Sequence, residues 1–428
     1  MKKIILGRRR EEESNGFSIF LGRRLSENHE FKEDVYLDVN SPHMILIAGK
    51  RGTGKSHTLS AIMEGLACLP EEARNIISLI VVDTMGIFWS LQVPNLKDAY
   101  ELSNWGIEPR KFDVRVFYPE GLKENYSKYS EYFHEGFKIY PSELTLSDWM
   151  FLFNLKEIQA QISLLSKVLD EANEKFGKFY GISDLIMLAE KERENDNVKE
   201  ALLRRLQSAK SWGIFSNVGK TIEDIVKPGN VAILDFSGAG ILPWNVRITL
   251  TAILVKKIYS KRSFARDVEE IQKIRKGKMN LEGIPLVWLF IDEAHLFVPN
   301  DSVTAASEPI IEWVKQGRRP GLSLVMATQQ PGALELKVLS QTDILIVHKI
   351  TAGKDADAIQ SKISEIYGSK SISSYMQKLP KAAGYAIVID DQAEGITSIK
   401  VRPKQSYHAG GSARIDDYIA DKEKMSHE

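Results

Sequence analysis

The residues best suited to chemistry lie in four short stretches, and each suits phosphate. In GKRGTGKSH, the residues Gly49, Gly54, Lys55 and Ser56 fit the spacing G-x-x-x-x-G-K-[ST]. Gly49, Gly52 and Gly54, with Lys50, Arg51 and Thr53 between them, permit a close turn whose amides face anionic oxygens. Lys55 adds a mobile charge toward β and γ phosphates, the Ser56 hydroxyl can complete a magnesium shell, and His57 closes the stretch. The G-x-G-x-x-G spacing of a dinucleotide-binding turn is absent from it. In LFIDEAH, Asp292 ends an apolar run and can hold the metal directly or through water, while Glu293 can orient or deprotonate an attacking water. The tetrapeptide ending at His295 does not by itself identify a helicase class. Gln329, after the apolar run LSLVMAT, carries an amide able to sense a γ-phosphate or position water. Arg318 and Arg319 in KQGRRPG offer guanidinium groups that can reach phosphate across a subunit boundary, with a surface salt bridge as the plainer use of either. Asp83 and Asp235 read as caps of the loops they open. Together these groups favour hydrolysis of ATP or GTP over simple nucleotide storage.

The elements that must position them follow from apolar patterning. MILIA precedes the glycine-rich turn and an amphipathic helix follows it, giving strand, turn and helix. ISLIVVD, VRVFYP, VAILDFSG, VWLFIDEAHLF, LSLVMATQQP and ILIVHKI read as further strands, and AGYAIVIDDQ as a hairpin. Continuously apolar strands joined by helices require a mainly parallel β-sheet covered on both faces, so the fold class is α/β. Residues 1–40 offer two short strands, Phe17 to Leu21 and Val35 to Val39, as a small β-containing extension. Residues 41–140 and 229–400 form the two parts of the core, with a helix from about Asn245 to Ser260. Between them, 141–228 reads as an inserted helical subdomain, with Thr145 and Asp148 as a capping box and Val198, Leu202, Leu206 and Ala209 at helical spacing. Residues 401–428 read as a C-terminal arm or flexible tail.

Composition bounds the partners. The 57 basic and 57 acidic residues cancel, and 43% hydrophobic with 27% charged residues exclude collagen-like, wholly disordered and multi-span membrane chains. The single cysteine, Cys68, can form no intrachain disulfide and points to a reducing interior. No run of 18 apolar residues and no convincing signal peptide is present, so the expectation is a cytoplasmic chain without integral membrane association.

YLDVNSPHMILIAGKRGTGKSHT, LDFSG, FIDEAH, GRRPGLSLVMATQQP and LSQTDILIVHK, in this order, resemble the HerA branch of the HerA and FtsK group of P-loop motor ATPases. The resemblance implies a RecA-like P-loop NTPase core, ATP and Mg2+ as cofactors, and a homo-oligomer assembled as a hexameric ring. It further implies translocation of double-stranded DNA and a NurA-like nuclease or other protein partner. By the same resemblance Lys55 and Ser56 match the nucleotide lysine and magnesium-site serine, Asp292 and Glu293 the acidic pair, and Gln329 the phosphate-side glutamine. Arg318 matches the arginine of the family's glycine-arginine-lysine segment, and Arg319 stands at its lysine. Two departures stand out. By the resemblance, the family's N-terminal barrel is too large for the residues before Tyr36, so a reduced remnant is the expectation there, and Gln330 occupies the place of a common arginine.

A DNA motor also needs a surface for its cargo. From Lys256 through Lys278 there are nine lysines or arginines against three acidic residues. Such a run can follow phosphates without reading bases, with Lys261, Arg262, Arg266, Lys273, Arg275 and Lys276 as the candidate DNA contacts; a solvated helix face is the plainer reading. Two rivals to the motor remain: a regulatory ATPase switch in a mobile-element or defence complex, and a conjugation-like protein or DNA transfer ATPase.

Overall fold

The computed structural model describes residues 3–9, 16–156, 160–216, 218–275, 283–350, 353–367 and 371–411. Its strands in chain order are β1 (Lys3–Leu6), β2 (Ser18–Leu25), β3 (Phe31–Asp38), β4 (Met44–Ala48), β5 (Ile77–Asp83), β6 (Arg115–Pro119) and β7 (Glu135–Phe137). They continue with β8 (Val231–Asp235), β9 (Leu286–Ile291), β10 (Leu322–Thr328), β11 (Ile344–Val347), β12 (Tyr385–Asp390) and β13 (Gly395–Val401). All pair into one sheet of order β1-β3-β2-β13-β12-β11-β4-β10-β9-β5-β8-β6-β7. From β11 to β7 every neighbour is parallel, so the loops that follow these strands share one edge.

Alternation along the strands feeds two separate cores. Ile45, Ile47, Val81 and Phe290 pack against the helix Lys55–Ala67. Leu46, Val82, Ile291 and Met326 face the other layer, built by the long helix Trp244–Ile274, the helix Ser307–Gln316 and the helical segment between β7 and β8. Each fully buried Leu or Ile contributes about 1.5–3 kcal/mol, so neither face of the central strands tolerates a charge.

The N-terminal residues form three strands where two were expected. β2 and β3 are antiparallel, β1 adds alongside β3, and β2 pairs with β13. They thus continue the main sheet, and the Gly7 amide returns to Asp390 Oδ2 at 2.8 Å. In the helical segment Thr145 and Asp148 exchange hydrogen bonds and start the helix Leu146–Phe153. Asn154, at φ 50°, ends it, so a second helix, Ala160–Phe176, stands apart. Leu202, Leu206 and Ala209 are buried on the helix Asp196–Ser211. The helix expected to stop near Ser260 instead runs to Ile274, and Arg262 and Glu269 pair across two turns of the added length. Residues 402–411 pack against the core, while the rest of the expected arm, 412–428, lies outside the described residues.

Candidate active site

The glycine-rich turn joins the end of β4 to the helix Lys55–Ala67. Its shape is set from outside: Gly49 N donates to Thr328 O at 3.2 Å, Lys50 N to Lys349 O at 3.0 Å, and Gly384 N to Thr53 O at 3.0 Å. Gly52 and Gly54 adopt φ 76° and 116°. A Cβ on Gly54 would lie 3.1 Å from Gly384 N, so both backbone conformation and close approach require glycine there. Lys55 Nζ reaches back to Lys50 O at 3.1 Å. Burial lowers its pKa, while Glu293 and Asp292 act in the opposite direction.

Asp292 directly follows β9, two strands from β4, so the parallel register delivers it to the first turn of the helix. Ser56 Oγ donates to Asp292 Oδ2 at 2.9 Å. Burial, then the neighbouring Glu293, raises the Asp292 carboxyl above its ordinary value. A buried carboxylate whose charge is disfavoured, beside a serine hydroxyl, fits a divalent cation that keeps most of its shell for water and phosphate. Among the described residues no cluster of three histidine, cysteine or acidic side chains competes for a metal.

Glu293 sits at φ 53°, an uncommon left-handed conformation for a glutamate that re-aims its carboxylate. Its Oε1 accepts the Gln329 amide, which projects from the turn after β10. Its Oε2 is buried without a hydrogen-bond partner among the described residues, 3.6 Å from His295 Nδ1. An aimed carboxylate oxygen with unused acceptor capacity is what a water-activating base requires.

These groups open onto a cavity of about 790 Å3 lined by Arg51, Gly52, Gly54, Ser56 and His57 on one side and Asp292, Glu293 and Gln329 on another. His57 donates from Nε2 to Arg402 O at 2.9 Å, and burial lowers its pKa to about 4, so the ring is neutral. Lys50 and Arg51 are exposed at the mouth.

Asp83 and Asp235 hold their own turns. Asp83 accepts the amides of Gly86 and Phe88 at 2.7 and 2.8 Å, and Asp235 accepts Ser237 N and the Tyr126 hydroxyl, each at 2.8 Å. Burial raises both carboxyl pKa values, and Asp235 raises that of Asp83 further.

Arg318 and Arg319 are elsewhere. They precede β10, at the opposite edge of the sheet from Gln329. Arg318 donates to Asp343 at 3.0 Å, and Arg319 pairs with Asp267 and Glu270, each at 2.7 Å. Neither reaches the cavity of its own chain, so phosphate contact by either requires a second copy.

The basic run needs correction. Arg262 is 1% exposed and paired with Glu269 at 2.8 Å, so it faces protein rather than a partner. Lys261 pairs with Glu223 at 2.8 Å, and Arg266 with Glu269 and Glu270 at 3.3 and 3.2 Å. Lys256 and Lys257 are likewise matched, by Asp148 at 2.7 Å and Glu143 at 2.6 Å. Lys273 and Arg275 are exposed, and Lys276 lies outside the described residues.

Sequence reasoning missed the segment 402–411. Its Pro403, His408 and Gly410 line the far side of the cavity. The available signal was Glu64, a lone charge inside an apolar helix: it is 1% exposed and accepts from Arg402, Ser406 and the Gln405 amide.

Comparison with known proteins places this geometry. The family described as "Helicase HerA, central domain" matches residues 19–261. A DNA double-strand break repair helicase HerA of Pyrococcus furiosus is 23% identical over 377 residues, covering 83% of this chain and 64% of that relative. The Sulfolobus acidocaldarius protein of the same description is 22% identical, covering 95% of this chain and 74% of its own. Among solved structures, VirB4 of Thermoanaerobacter pseudethanolicus aligns with a TM-score of 0.57 at 13% identity, covering 92% of this chain and 98% of that one. The bacterial conjugative coupling protein TrwB aligns with 0.51 at 14% identity, covering 94% and 98%. At these identities the structural likeness speaks for the fold.

Proposed function

Because this chain belongs to the HerA helicase central-domain family of P-loop NTP hydrolases, we propose that it is a magnesium-dependent ATPase that moves or remodels double-stranded DNA as an oligomeric ring. The observation that carries the hydrolytic part is Glu293 Oε2, buried without a hydrogen-bond partner among the described residues and adjacent to the Ser56–Asp292 pair. Loop amides and Lys55 bind the triphosphate. Ser56 and Asp292 would hold magnesium, which when bound neutralises phosphate charge. Glu293 takes a proton from the attacking water, and the Gln329 amide orients the carboxylate and senses the terminal phosphate. Arg318, the match to the family arginine by resemblance, would act on a neighbouring copy after leaving Asp343. Because the chain spans 64% of the Pyrococcus relative, cargo and assembly rest on this reading alone.

The test is assembly state by light scattering together with ATP turnover, with and without long duplex DNA. The expected outcome is a nucleotide-bound oligomer whose turnover rises with duplex. Exchanging Lys273 and Arg275 for alanine should weaken duplex affinity and reduce the salt slope by about 1 to 2, from roughly 0.9 per phosphate contact. A chain that neither assembles nor responds to DNA overturns the motor reading. One observation favours a second reading, a nucleotide switch or conjugation-like transfer ATPase: the acidic partners that occupy much of the basic run. Stimulation by a protein partner and not by DNA would establish it.

A further inference from the structure

The cavity is lined by two distinct sets of residues, the glycine-rich turn with the acidic pair, and the segment 402–411 with the loop after β5. β4 ends between two groups of strands. On one side, β10 and β9 bring Gln329, Asp292 and Glu293 to the phosphate end. On the other, β12 begins and β13 ends at the same edge, and the chain leaving β13 crosses the helix Lys55–Ala67 to reach the loop after β5.

This crossing strap is anchored at both ends. Glu64 accepts Arg402 Nη1 at 2.9 Å, Ser406 N at 2.9 Å, Ser406 Oγ at 2.7 Å and Gln405 N at 3.1 Å. Its far end is fixed by Tyr407 N donating to Val93 O at 2.7 Å and by Asn95 N donating to Gln405 O at 2.9 Å. A single buried carboxylate on the phosphate-binding helix therefore ties the strap to that helix, and the position of one sets the position of the other.

Beyond this anchor the strap presents His408 and Gly410 to the cavity, with Ile87 on the loop opposite. A Cβ on Gly410 would lie 3.1 Å from His408 Cε1 and 3.6 Å from Ile87 Cδ1, so the glycine keeps a slot open between a ring and an aliphatic chain. Asp98 and Glu101 line the same end. Asp98 is oriented by Asn95 Nδ2, which donates to Asp98 Oδ2 at 3.0 Å and to Lys404 O on the strap at 3.1 Å. The His408 ring is exposed at this end of the strap, and partial desolvation with the nearby Lys404 lowers its pKa.

We propose that this strap forms the nucleoside subsite of the cavity, where the base packs between His408 and Ile87 over Gly410 and the carboxylates of Asp98 and Glu101 accept hydrogen bonds from ribose hydroxyls. The subsite rests on the reading of the phosphate loop as an ATP site. It assigns base-dependent affinity to a segment far from the glycine-rich turn in sequence and coupled to it through Glu64.

The test separates the two halves with two probes, Mg-ADP and Mg-tripolyphosphate, measured by calorimetry on folded protein verified by circular dichroism. His408→Ala and Gly410→Val should each weaken ADP about tenfold or more, the range for losing a base-stacking partner, while tripolyphosphate binding stays unchanged. Asp98→Asn should weaken ADP and spare 2′,3′-dideoxy-ADP. Lys55→Ala should weaken both probes. If Lys55→Ala weakens both probes and the strap variants leave ADP binding unchanged, the nucleoside subsite is refuted and the phosphate site stands. If Lys55→Ala alters neither probe, the phosphate-site reading itself fails.

Discussion

The two edges of the sheet treat buried histidine in opposite ways. Around the phosphate loop, burial lowers the pKa of His57 and His348 to about 4 and 3, and each is neutral. At the other edge, burial of His43 also opposes charge, but hydrogen bonds to Asp343 and Asp38 outweigh it and raise its pKa to about 9. There His43 Nδ1 donates to Asp343 at 2.9 Å and Nε2 to Asp38 at 3.4 Å, while Arg8 pairs with Asp38 and Arg318 with Asp343. Burial sets the cost of a charge, and the available partners decide whether it persists. The first edge leaves Glu293 Oε2 without a hydrogen-bond partner among the described residues, beside Lys55 and Asp292; the second satisfies its ions internally and binds the N-terminal strands to the core.

The sharpest way to break this contrast is Asp343→Ala. That carboxylate accepts His43, Arg318 and the Met44 amide and is 3% exposed, so its loss strands buried donors and should cost about 3–5 kcal/mol of stability in denaturant unfolding. A loss below about 1 kcal/mol, the worth of a surface pair, would show that the edge is wetter than its geometry implies.

A smaller effect is expected from pH. His43 is raised from 6.5 to about 9, so its contribution is complete below pH 6.5 and is lost as pH rises through 9, in total about 3 kcal/mol. The neutral His57 and His348 have the opposite sign: their folded pKa values lie below 6.5, so their contribution is present above that pH and fades as pH falls toward 4. Unfolding free energies measured from pH 6 to 10 should fall along the alkaline limb in the wild type, and His43→Gln should flatten that limb. An unchanged limb in the variant would remove His43 from the account.

The same contrast explains what could be read from the chain. The phosphate loop was legible because strand, turn and helix adjoin in sequence, and Asp292 because its apolar strand ends on it. The parallel core was legible for the same reason, through runs such as ISLIVVD and LSLVMAT. The strap was not, since Glu64 and Ser406 meet across 342 residues and RPKQSYHAGG has no periodicity of its own. The basic run misled in the same manner: its partners Asp148, Glu143 and Glu223 lie far back in sequence, so counting charges locally overstated the surface field. β1 was overlooked because a four-residue strand beside basic residues carries little pattern.

The most direct test of the central claim is Glu293→Gln, followed by equilibrium ATP binding and by phosphate release in a single turnover. The substitution keeps the side chain's size and one acceptor oxygen while removing the base. ATP should bind with wild-type affinity, and phosphate release should fall by at least about a hundredfold, the scale of a lost general base. Phosphate release at the wild-type rate would contradict the assignment of hydrolysis to this carboxylate.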